Sequence, residues 1–487
     1  MTGRGRLLGA VAAVVVAAAV LTATTPGLEV ATRVAAPRSP AATPTTGPPT
    51  TAAPPSSPST TPTTRTTEAP AAGGPGDAGD VAECLAGDLL HDPDILLGDG
   101  DITGAAPEQV ARIADAVEEE RELTFREEVE PEFVTGEEIA RRVRDLSAGS
   151  YPPAEADVDD RLLTALGAIP PDLDLREAVL DLTAGQVAGY YEPSSGDLVV
   201  LAEDPGRPLG PAEQVTLAHE LDHALTDQRL DHPDVDEDPA ADDAAIAASA
   251  LVEGDATVLM QRFALAHVGI AGLTDAAGEG GDQDALADVP AFLRSNLTFP
   301  YLDGMAFVCS LLAAGGWEAV DAAYDDPPTT TAEVLFPERY GEAAREAPAV
   351  ASPGEGWEEV AREPFGAAPL RWLLEAPGGD ASAPLADAGE RTAAWGGDEV
   401  AVFTRGEATA VGLSLVAHEG ADPGELCTTM ADWYRASFPD AAGAPTEGDE
   451  AMAVEGDRQS AVVACSGDAV ALGIAPDLAT ARALLPA

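Results

Sequence analysis

The chain has 487 residues, enough for two or three domains of ordinary size with buried cores. It contains 85 acidic residues and 26 basic residues, every one of them arginine, and its formal net charge is −59. Nucleic acids and anionic lipid surfaces bind proteins through basic residues, so this composition argues against both as partners. A carboxylate-rich surface without lysine is typical of salt-adapted proteins, in which salt screens the repulsion. Steering of cationic substrates is the alternative interpretation of this charge.

The N-terminus has the pattern of an export signal. Arg4 and Arg6 precede an apolar run over residues 7–21. This run is shorter than the ~20 residues that a membrane-spanning helix needs, which favours a cleaved signal peptide within residues 1–36. No clear cleavage site follows the run, so an uncleaved membrane anchor remains the alternative. In both cases we expect an extracellular or cell-surface protein that contacts a membrane only through this segment.

Residues 37–80 form a Pro- and Thr-rich segment. Between residues 37 and 76 there is no Leu, Ile, Val, Met, Phe, Tyr or Trp, so this stretch cannot form a core, and we expect a disordered linker. The predicted fold class for the rest is α+β. We expect a mostly helical domain over residues 81–350 with one short hairpin, and a smaller α+β domain with an antiparallel sheet over residues 356–487.

The secondary-structure elements are predicted from hydrophobic periodicity. Apolar residues spaced three to four positions apart indicate a helix, and apolar residues that alternate with polar ones indicate a strand. The predicted helices of the first domain cover 107–123, 136–146, 159–166, 175–182, 211–228, 242–268, 302–314 and 318–324. A hairpin over residues 190–200 interrupts them. The predicted strands of the second domain cover 399–404, 409–416, 450–454, 459–465 and 469–474, with a helix over 424–438. The second domain has no recognisable catalytic constellation, and its role is open.

Four cysteines, at positions 84, 309, 427 and 465, are an even number that permits disulfides in an exported chain. None of their spacings resembles a CxxC metal site. We expect Cys427 to pair with Cys465, because both lie in one C-terminal segment. Cys84 and Cys309 then form either a second disulfide or two buried thiols.

The sequence HELDH at residues 219–223 is a candidate zinc-binding motif. On a helix, His219 and His223 lie one turn apart on the same face, where both imidazoles can bind one Zn²⁺. Glu220 lies ~100° round the helix from His219, beside such a metal, where it can act as a general base. The chain has only six histidines, so the motif is unusual by chance. The alternative is a pair of ordinary core histidines.

A catalytic zinc site needs a third protein ligand. The longer metzincin motif is absent, since Thr226 and Arg229 occupy its Gly and His positions. A mostly apolar helical stretch over residues 245–260 carries Glu253 and Asp255, and an unpaired buried carboxylate there would be costly. We expect Glu253 as the third ligand and Asp255 as an acceptor that orients an imidazole. The alternatives are Asp255 as the ligand, or Glu253 on a solvated face.

Several motifs in this order resemble the bacterial HExxH metallopeptidase-like proteins of the gluzincin type. They are GYYEP at 189–193, residues 216–228 around HELDH, LVEGDA at 251–256, FPY at 299–301 and GGW at 315–317. The resemblance covers residues 162–340, and more weakly WGGD at 395–398. It implies a zincin-like fold, Zn²⁺ held by His219, His223 and Glu253, and Glu220 as the catalytic base.

Asp222 departs from this pattern, because the two residues between the Glu and the second His are usually uncharged in zinc peptidases. On a helical wheel it lies on the opposite flank of the histidine pair from Glu220. We expect it to face the cleft and to add negative charge near the metal, unless an arginine or a backbone N–H neutralises it.

Peptide hydrolysis also needs a donor to the oxyanion that develops on the substrate. Tyr191 in the hairpin and Tyr301 after Pro300 are the candidates. For each, a packing role is the alternative. His232 and His267 are weaker candidates.

These observations predict an exported zinc metallopeptidase, a hydrolase whose substrate is a peptide or a protein. The alternative is a non-catalytic, envelope-associated scaffold or binding protein with a degenerate zincin domain.

Overall fold

The computed structural model describes residues 78–87, 98, 102–204, 206–230, 233, 242–269, 272 and 289–486. The predicted export signal and nearly all of the predicted linker lie outside these residues. The described part of the chain is α+β, with 14 helices and 10 strands in two sheets. This confirms the predicted fold class at that level.

The elements are numbered in chain order. The helices α1 to α14 are Ala78–Ala86, Ala106–Arg121, Gly136–Ser150, Pro153–Ala165, Leu175–Gln186, Pro211–Arg229, Asp242–Phe263, Ala291–Gly315, Trp317–Asp325, Thr331–Leu335, Ala367–Glu375, Ala388–Thr392, Pro423–Ser437 and Leu478–Ala483. The strands β1 to β10 are Glu132–Val134, Gly189–Glu192, Asp197–Leu201, Glu358–Glu363, Trp395–Arg405, Ala408–Ala417, Ala442–Gly443, Glu450–Glu455, Ser460–Ser466 and Ala469–Ala475. A π-helical turn, Ala264–Val268, extends α7.

The first sheet is small and has the strand order β1-β3-β2. The predicted hairpin is present as β2 and β3, with Tyr191 opposite Leu198. Strand β1 pairs in parallel with β3, with Phe133 opposite Val200. The sequence did not predict β1, because three residues are too few to show an alternating pattern. Strand β2 is an edge strand and packs against α6.

Helices α6, α7 and α8 form the centre of the helical region. In α6 every residue from 213 to 226 is buried, so the helix is enclosed on all sides. Helix α8 packs against α7 at a glycine contact. A Cβ on Gly254 would lie 2.4 Å from the carbonyl carbon of Gly304, and one on Gly304 would lie 2.2 Å from the Ala250 oxygen. The two backbones therefore touch one residue beyond Glu253.

Helix α8 begins at Ala291, so the predicted start at residue 302 is wrong. Pro300 lies inside the helix, although proline usually ends one because it lacks an N–H group. Its neighbours Phe299 and Tyr301 are both buried, and core packing sustains the helix through the proline. Among the described residues α8 alone is long and apolar enough to cross a membrane, and half of its apolar window is buried inside the protein.

The second sheet has seven antiparallel strands in the order β4-β5-β6-β10-β9-β8-β7. It contains all five predicted strands, and β4 and β7 are additional. The largest buried cluster includes Phe307 from α8 as well as Trp395 and Trp433 from the sheet region. This cluster contains residues from both sides of position 350, so it does not separate two cores there. The predicted division into two domains near residue 350 stays a prediction.

Two disulfides tie distant elements together. Cys427 pairs with Cys465, as predicted, and joins α13 to β9. Cys84 pairs with Cys309 and joins α1 to α8. Of the two alternatives that the sequence left open for these cysteines, the structure therefore has the second disulfide and not two buried thiols.

Candidate metal centre

Helices α6 and α7 bring the three predicted ligands together. The Nε2 atoms of His219 and His223 lie 3.0 Å apart. The Oε2 atom of Glu253 lies 3.3 Å from Nε2 of His219 and 3.4 Å from Nε2 of His223. Within the described part of the chain, this is the one cluster of at least three His, Cys, Asp or Glu residues whose ligand atoms converge in this way.

The spacing of these atoms fits a zinc ion. Around a tetrahedral zinc with bonds of ~2.0 to 2.1 Å to nitrogen and oxygen, neighbouring ligand atoms lie about 3.3 to 3.4 Å apart. The Oε2 atom of Glu253 is buried and has no hydrogen bond of standard geometry. It faces two imidazole nitrogens, an arrangement that suits a cation shared by all three groups. The set has two nitrogens and one oxygen, a common composition for zinc.

The charges of the three residues are strongly coupled. Burial would raise the pKa of Glu253, but the two imidazoles lower it to about 2. Burial also lowers the pKa of both histidines. For His223 the Glu253 carboxylate more than offsets this effect, and its pKa rises to about 9. A proton on His223 therefore balances Glu253 when no cation does.

Glu220 occupies a different environment from Glu253. Its carboxylate is fully buried, and neither oxygen has a hydrogen bond of standard geometry in the described structure. Burial raises its pKa to about 8. Strand β2 covers it closely, since a Cβ on Gly189 would lie 3.0 Å from Oε1 of Glu220 and 2.8 Å from Cγ2 of Thr216. A glycine is needed at position 189 for this approach.

The two candidate oxyanion donors have different positions. The Tyr301 ring is buried, and its centroid lies 6.4 Å from that of His219. The Tyr191 hydroxyl donates a hydrogen bond of 2.7 Å to Asp227. Tyr301 therefore borders the site, whereas the Tyr191 hydroxyl is engaged with Asp227; a role for either in catalysis stays a prediction.

Nothing in the described structure supports a role as oxyanion donor for the two weaker candidates, His267 and His232. The ring of His267 packs against Phe263, with centroids 4.9 Å apart. His232 lies outside the described residues.

Asp255 does not orient an imidazole, so that expectation is wrong. Its Oδ1 accepts a hydrogen bond of 3.1 Å from Nε of Arg121, and its Oδ2 accepts one of 3.0 Å from Nη2. The Tyr324 hydroxyl donates a further bond of 2.9 Å to Oδ2. The reason is the helical spacing, because Asp255 lies ~200° round α7 from Glu253 and faces away from the histidine pair.

Asp222 does not face an open cleft either, because its side chain is fully buried. Burial and the neighbouring Asp255 carboxylate raise its pKa well above the usual range, and the Arg121 guanidinium opposes this shift. Arg121 thus acts on Asp222 through its charge only: neither oxygen of Asp222 has a hydrogen bond of standard geometry, and the guanidinium pairs with Asp255 instead.

Arg121 was missed by the sequence analysis. It is the last residue of α2 and is fully buried, with its guanidinium 4.4 Å above the ring of Trp317. Its side chain also pairs with Asp321 at 2.7 Å. No local pattern marks it, because Asp255 lies 134 residues further along the chain.

Comparisons of this chain with protein-family models, with curated proteins and with solved structures find no match.

Proposed function

We propose that this chain is an exported zinc metallopeptidase with a zincin-like fold of the gluzincin type, which hydrolyses peptide bonds. The observation that carries the proposal is the convergence of His219, His223 and Glu253 within 3.0 to 3.4 Å, with Glu220 buried beside them. The motif resemblance supports the same assignment. The two disulfides support export, because disulfides persist in oxidising compartments.

His219, His223 and Glu253 would hold Zn²⁺, which supplies Lewis acidity at this position when it is bound. Glu220 is suited to move a proton, because a general base works best with a pKa near the operating pH, and its pKa is about 8. Its carboxylate takes a proton from the attacking water as the water oxygen bonds to the carbonyl carbon. It then gives the proton to the leaving nitrogen as the carbon–nitrogen bond breaks.

A peptide substrate agrees with the position of β2. This strand is an edge of its sheet, and its first residue, Gly189, lies against Glu220. An extended peptide that added to this edge through backbone hydrogen bonds would pass close to the base.

The burial of the site favours a second candidate function. His219 and Glu220 are fully buried, Glu253 is 2% exposed and His223 is 8% exposed. Structural zinc sites are closed, whereas catalytic sites keep a position open to water or substrate. A non-catalytic, envelope-associated scaffold with a metal-stabilised helical region is therefore the alternative.

Metal analysis combined with cleavage of casein separates the two candidates. A metallopeptidase should contain one zinc per chain, lose hydrolysis on treatment with a chelator, and regain it when zinc is restored. Stoichiometric zinc with no cleavage of casein or of a peptide library would favour the scaffold. A purified protein with no affinity for zinc would contradict the proposed metal centre.

A further inference from the structure

We infer that Asp227, in the last turn of α6, is a positioning residue that holds β2 over the Glu220 carboxylate through the Tyr191 hydroxyl. The inference rests on the proposed function, because Glu220 is the base of that proposal. Asp227 is outside the proposed ligand set, and it acts on the site through the strand that it holds.

Glu220 and Asp227 lie on one face of α6. They are two helical turns apart, so Asp227 lies about 10 Å further along the axis and only ~20° round it. An acidic residue in the last turn of a helix opposes the helix dipole, so local helix preference does not account for Asp227. The contact that Asp227 makes with β2 does account for it.

Tyr191 connects these two carboxylates. Its hydroxyl donates a partly buried hydrogen bond of 2.7 Å to Oδ2 of Asp227. Just before β2, the Ala188 carbonyl bonds to β3, and the alternation of an antiparallel pair then turns the backbone groups of Tyr191 away from β3. The backbone N–H of Tyr191 lies close enough to the Glu220 carboxylate to interact with it. One residue of β2 thus meets the proposed base with its backbone and Asp227 with its side chain.

The next residue, Gln228, fastens the other side of the same sheet. Its Oε1 accepts hydrogen bonds of 2.8 and 3.0 Å from the backbone N–H groups of Arg126 and Glu127. Its Nε2 donates one of 3.1 Å to the Glu127 carbonyl. This segment leads into β1, the other outer strand of the sheet. Tilting the sheet away from α6 therefore breaks the contact of Asp227 or that of Gln228.

Loss of the Asp227 contact would let β2 move relative to the Glu220 carboxylate. The first residue of the strand already limits how near it can come, since a Cβ on Gly189 would lie 3.0 Å from Oε1 of Glu220. Asp227 limits how far the strand can move away. A displacement of ~1 Å near reacting groups can cost about 100-fold in rate, so kcat should be sensitive to this bond.

The test compares Tyr191→Phe, Asp227→Ala and the double variant in the full chain. Alanine favours a helix and removes a charge that opposes the dipole, so the Asp227 variant should fold. In hydrogen exchange of the metal-free protein, we expect the backbone amides of residues 189–192 to exchange about 10-fold faster in each single variant. We expect kcat for peptide cleavage to fall about 10- to 100-fold in each, with unchanged zinc affinity. The double variant should be no worse than the single variants, because both remove the same bond.

A conservative variant and a matched control isolate the bond. Asp227→Asn keeps an acceptor oxygen for the Tyr191 hydroxyl, so it should recover most of the exchange protection and of the kcat that Asp227→Ala loses. The control, Tyr151→Phe, removes a similar hydrogen bond, of 2.9 Å to Asp159, from a tyrosine in a different hydrophobic cluster. It should leave both kcat and the exchange of β2 unchanged.

Three results would overturn the inference and leave the proposed function intact. Wild-type exchange of β2 in both folded single variants would show that the bond does not hold the strand. Loss of kcat in Tyr191→Phe with native kcat in Asp227→Ala would show that the hydroxyl acts on the substrate. Additive losses in the double variant would show that the two residues have separate roles.

Failure of the proposed function has a different signature. A wild-type protein that holds zinc but cleaves no peptide would overturn that function and, with it, the positioning of a base by Asp227. Hydrogen exchange needs neither zinc nor substrate, so it would still show whether Asp227 holds β2.

Discussion

Four acidic side chains on two adjacent helices differ in role because their immediate neighbours differ. Glu253 faces two imidazoles, which hold its pKa at about 2 despite burial. His223 lowers the pKa of Glu220 as well, but burial outweighs this effect and raises that pKa to about 8. Asp255 pairs with Arg121, and Asp222 is buried beside that pair. Environments that push pKa values apart agree with the proposed roles of Glu253 as ligand and Glu220 as base.

The proposed role of Glu220 as general base is tested by Glu220→Gln, which keeps the shape of the side chain and removes its ability to accept the proton. We expect native zinc content and a native melting temperature, with hydrolysis reduced at least ~100-fold. Zinc analysis and peptide-cleavage rates on one preparation measure both. Glu213→Gln, in the first turn of the same helix, is the control and should keep its activity. Near-native turnover in Glu220→Gln would remove Glu220 from the proposed role.

At the scale of elements, the site depends on the close approach of β2 to α6. A side chain at position 189 would contact both Thr216 and the Glu220 carboxylate, so this strand sets where the carboxylate can lie. The glycine contact between α7 and α8 fixes the other side of the site, directly after Glu253.

Gly189→Ala tests this approach. The added methyl group must displace Glu220 or β2, because its contacts would be 2.8 to 3.0 Å. We expect a loss of about 1 to 3 kcal/mol in the free energy of unfolding, as for overpacking elsewhere, together with reduced hydrolysis. Gly185→Ala in α5 is the control, since open space surrounds it and alanine favours a helix. Equal stability and activity in Gly189→Ala and the wild type would show that β2 does not constrain the base.

The sequence predicted the elements whose signal is local. Helical periodicity predicted α6 and α7, and the HExxH spacing marked His219 and His223 as candidate ligands. It did not predict that α8 continues through Pro300, because packing against α7 overrides the usual effect of proline. It also missed the partner of Asp255, because Arg121 becomes its neighbour only through the tertiary fold.

At the scale of the whole molecule, a buried polar junction connects the helical region to the second sheet. Asp243, on α7, accepts hydrogen bonds from the hydroxyl and the backbone N–H of Thr331, at 2.5 and 3.2 Å. The Thr331 hydroxyl in turn accepts a bond from the N–H of Ala368. Asp398, on β5, accepts bonds from the N–H groups of Phe365 and Gly366. The junction thus joins α7, α10, α11 and β5.

This junction predicts a pH dependence of stability. Burial raises the pKa of Asp243 to about 7, with smaller contributions from the carboxylates of Asp398 and Glu333. Because the folded-state pKa lies above the unfolded value, the stabilisation is complete below about pH 4 and is lost as the pH rises through 7. The contribution is at most roughly 4 kcal/mol.

Chemical denaturation of Asp243→Asn and the wild type between pH 4 and 8 measures this contribution. In the wild type, Asp243 should contribute to a decline in the free energy of unfolding as the pH rises. Asp243→Asn should lack that contribution. Asp172→Asn, at an exposed position, is the control and should keep the wild-type dependence. Parallel curves for Asp243→Asn and the wild type would contradict the assignment.

The net charge of −59 predicts a response of the whole protein to salt. Carboxylate repulsion is screened as ionic strength rises, because the Debye length falls from ~10 Å at 0.1 M to ~3 Å at 1 M. We expect the melting temperature and the hydrolysis rate to increase from low salt to about 2 M NaCl. A melting temperature that stays flat or falls over this range would contradict salt adaptation.

The most direct test of the metal centre is the zinc stoichiometry and affinity of the wild type, Glu253→Ala and Asp255→Asn. We predict one zinc per chain in the wild type and loss of stoichiometric zinc in Glu253→Ala, because His219 and His223 alone leave the site one ligand short. Asp255→Asn should keep one zinc per chain, since the Asp255 carboxylate pairs with Arg121 and is outside the ligand set. Full zinc occupancy with native affinity in Glu253→Ala would show that the third ligand lies elsewhere.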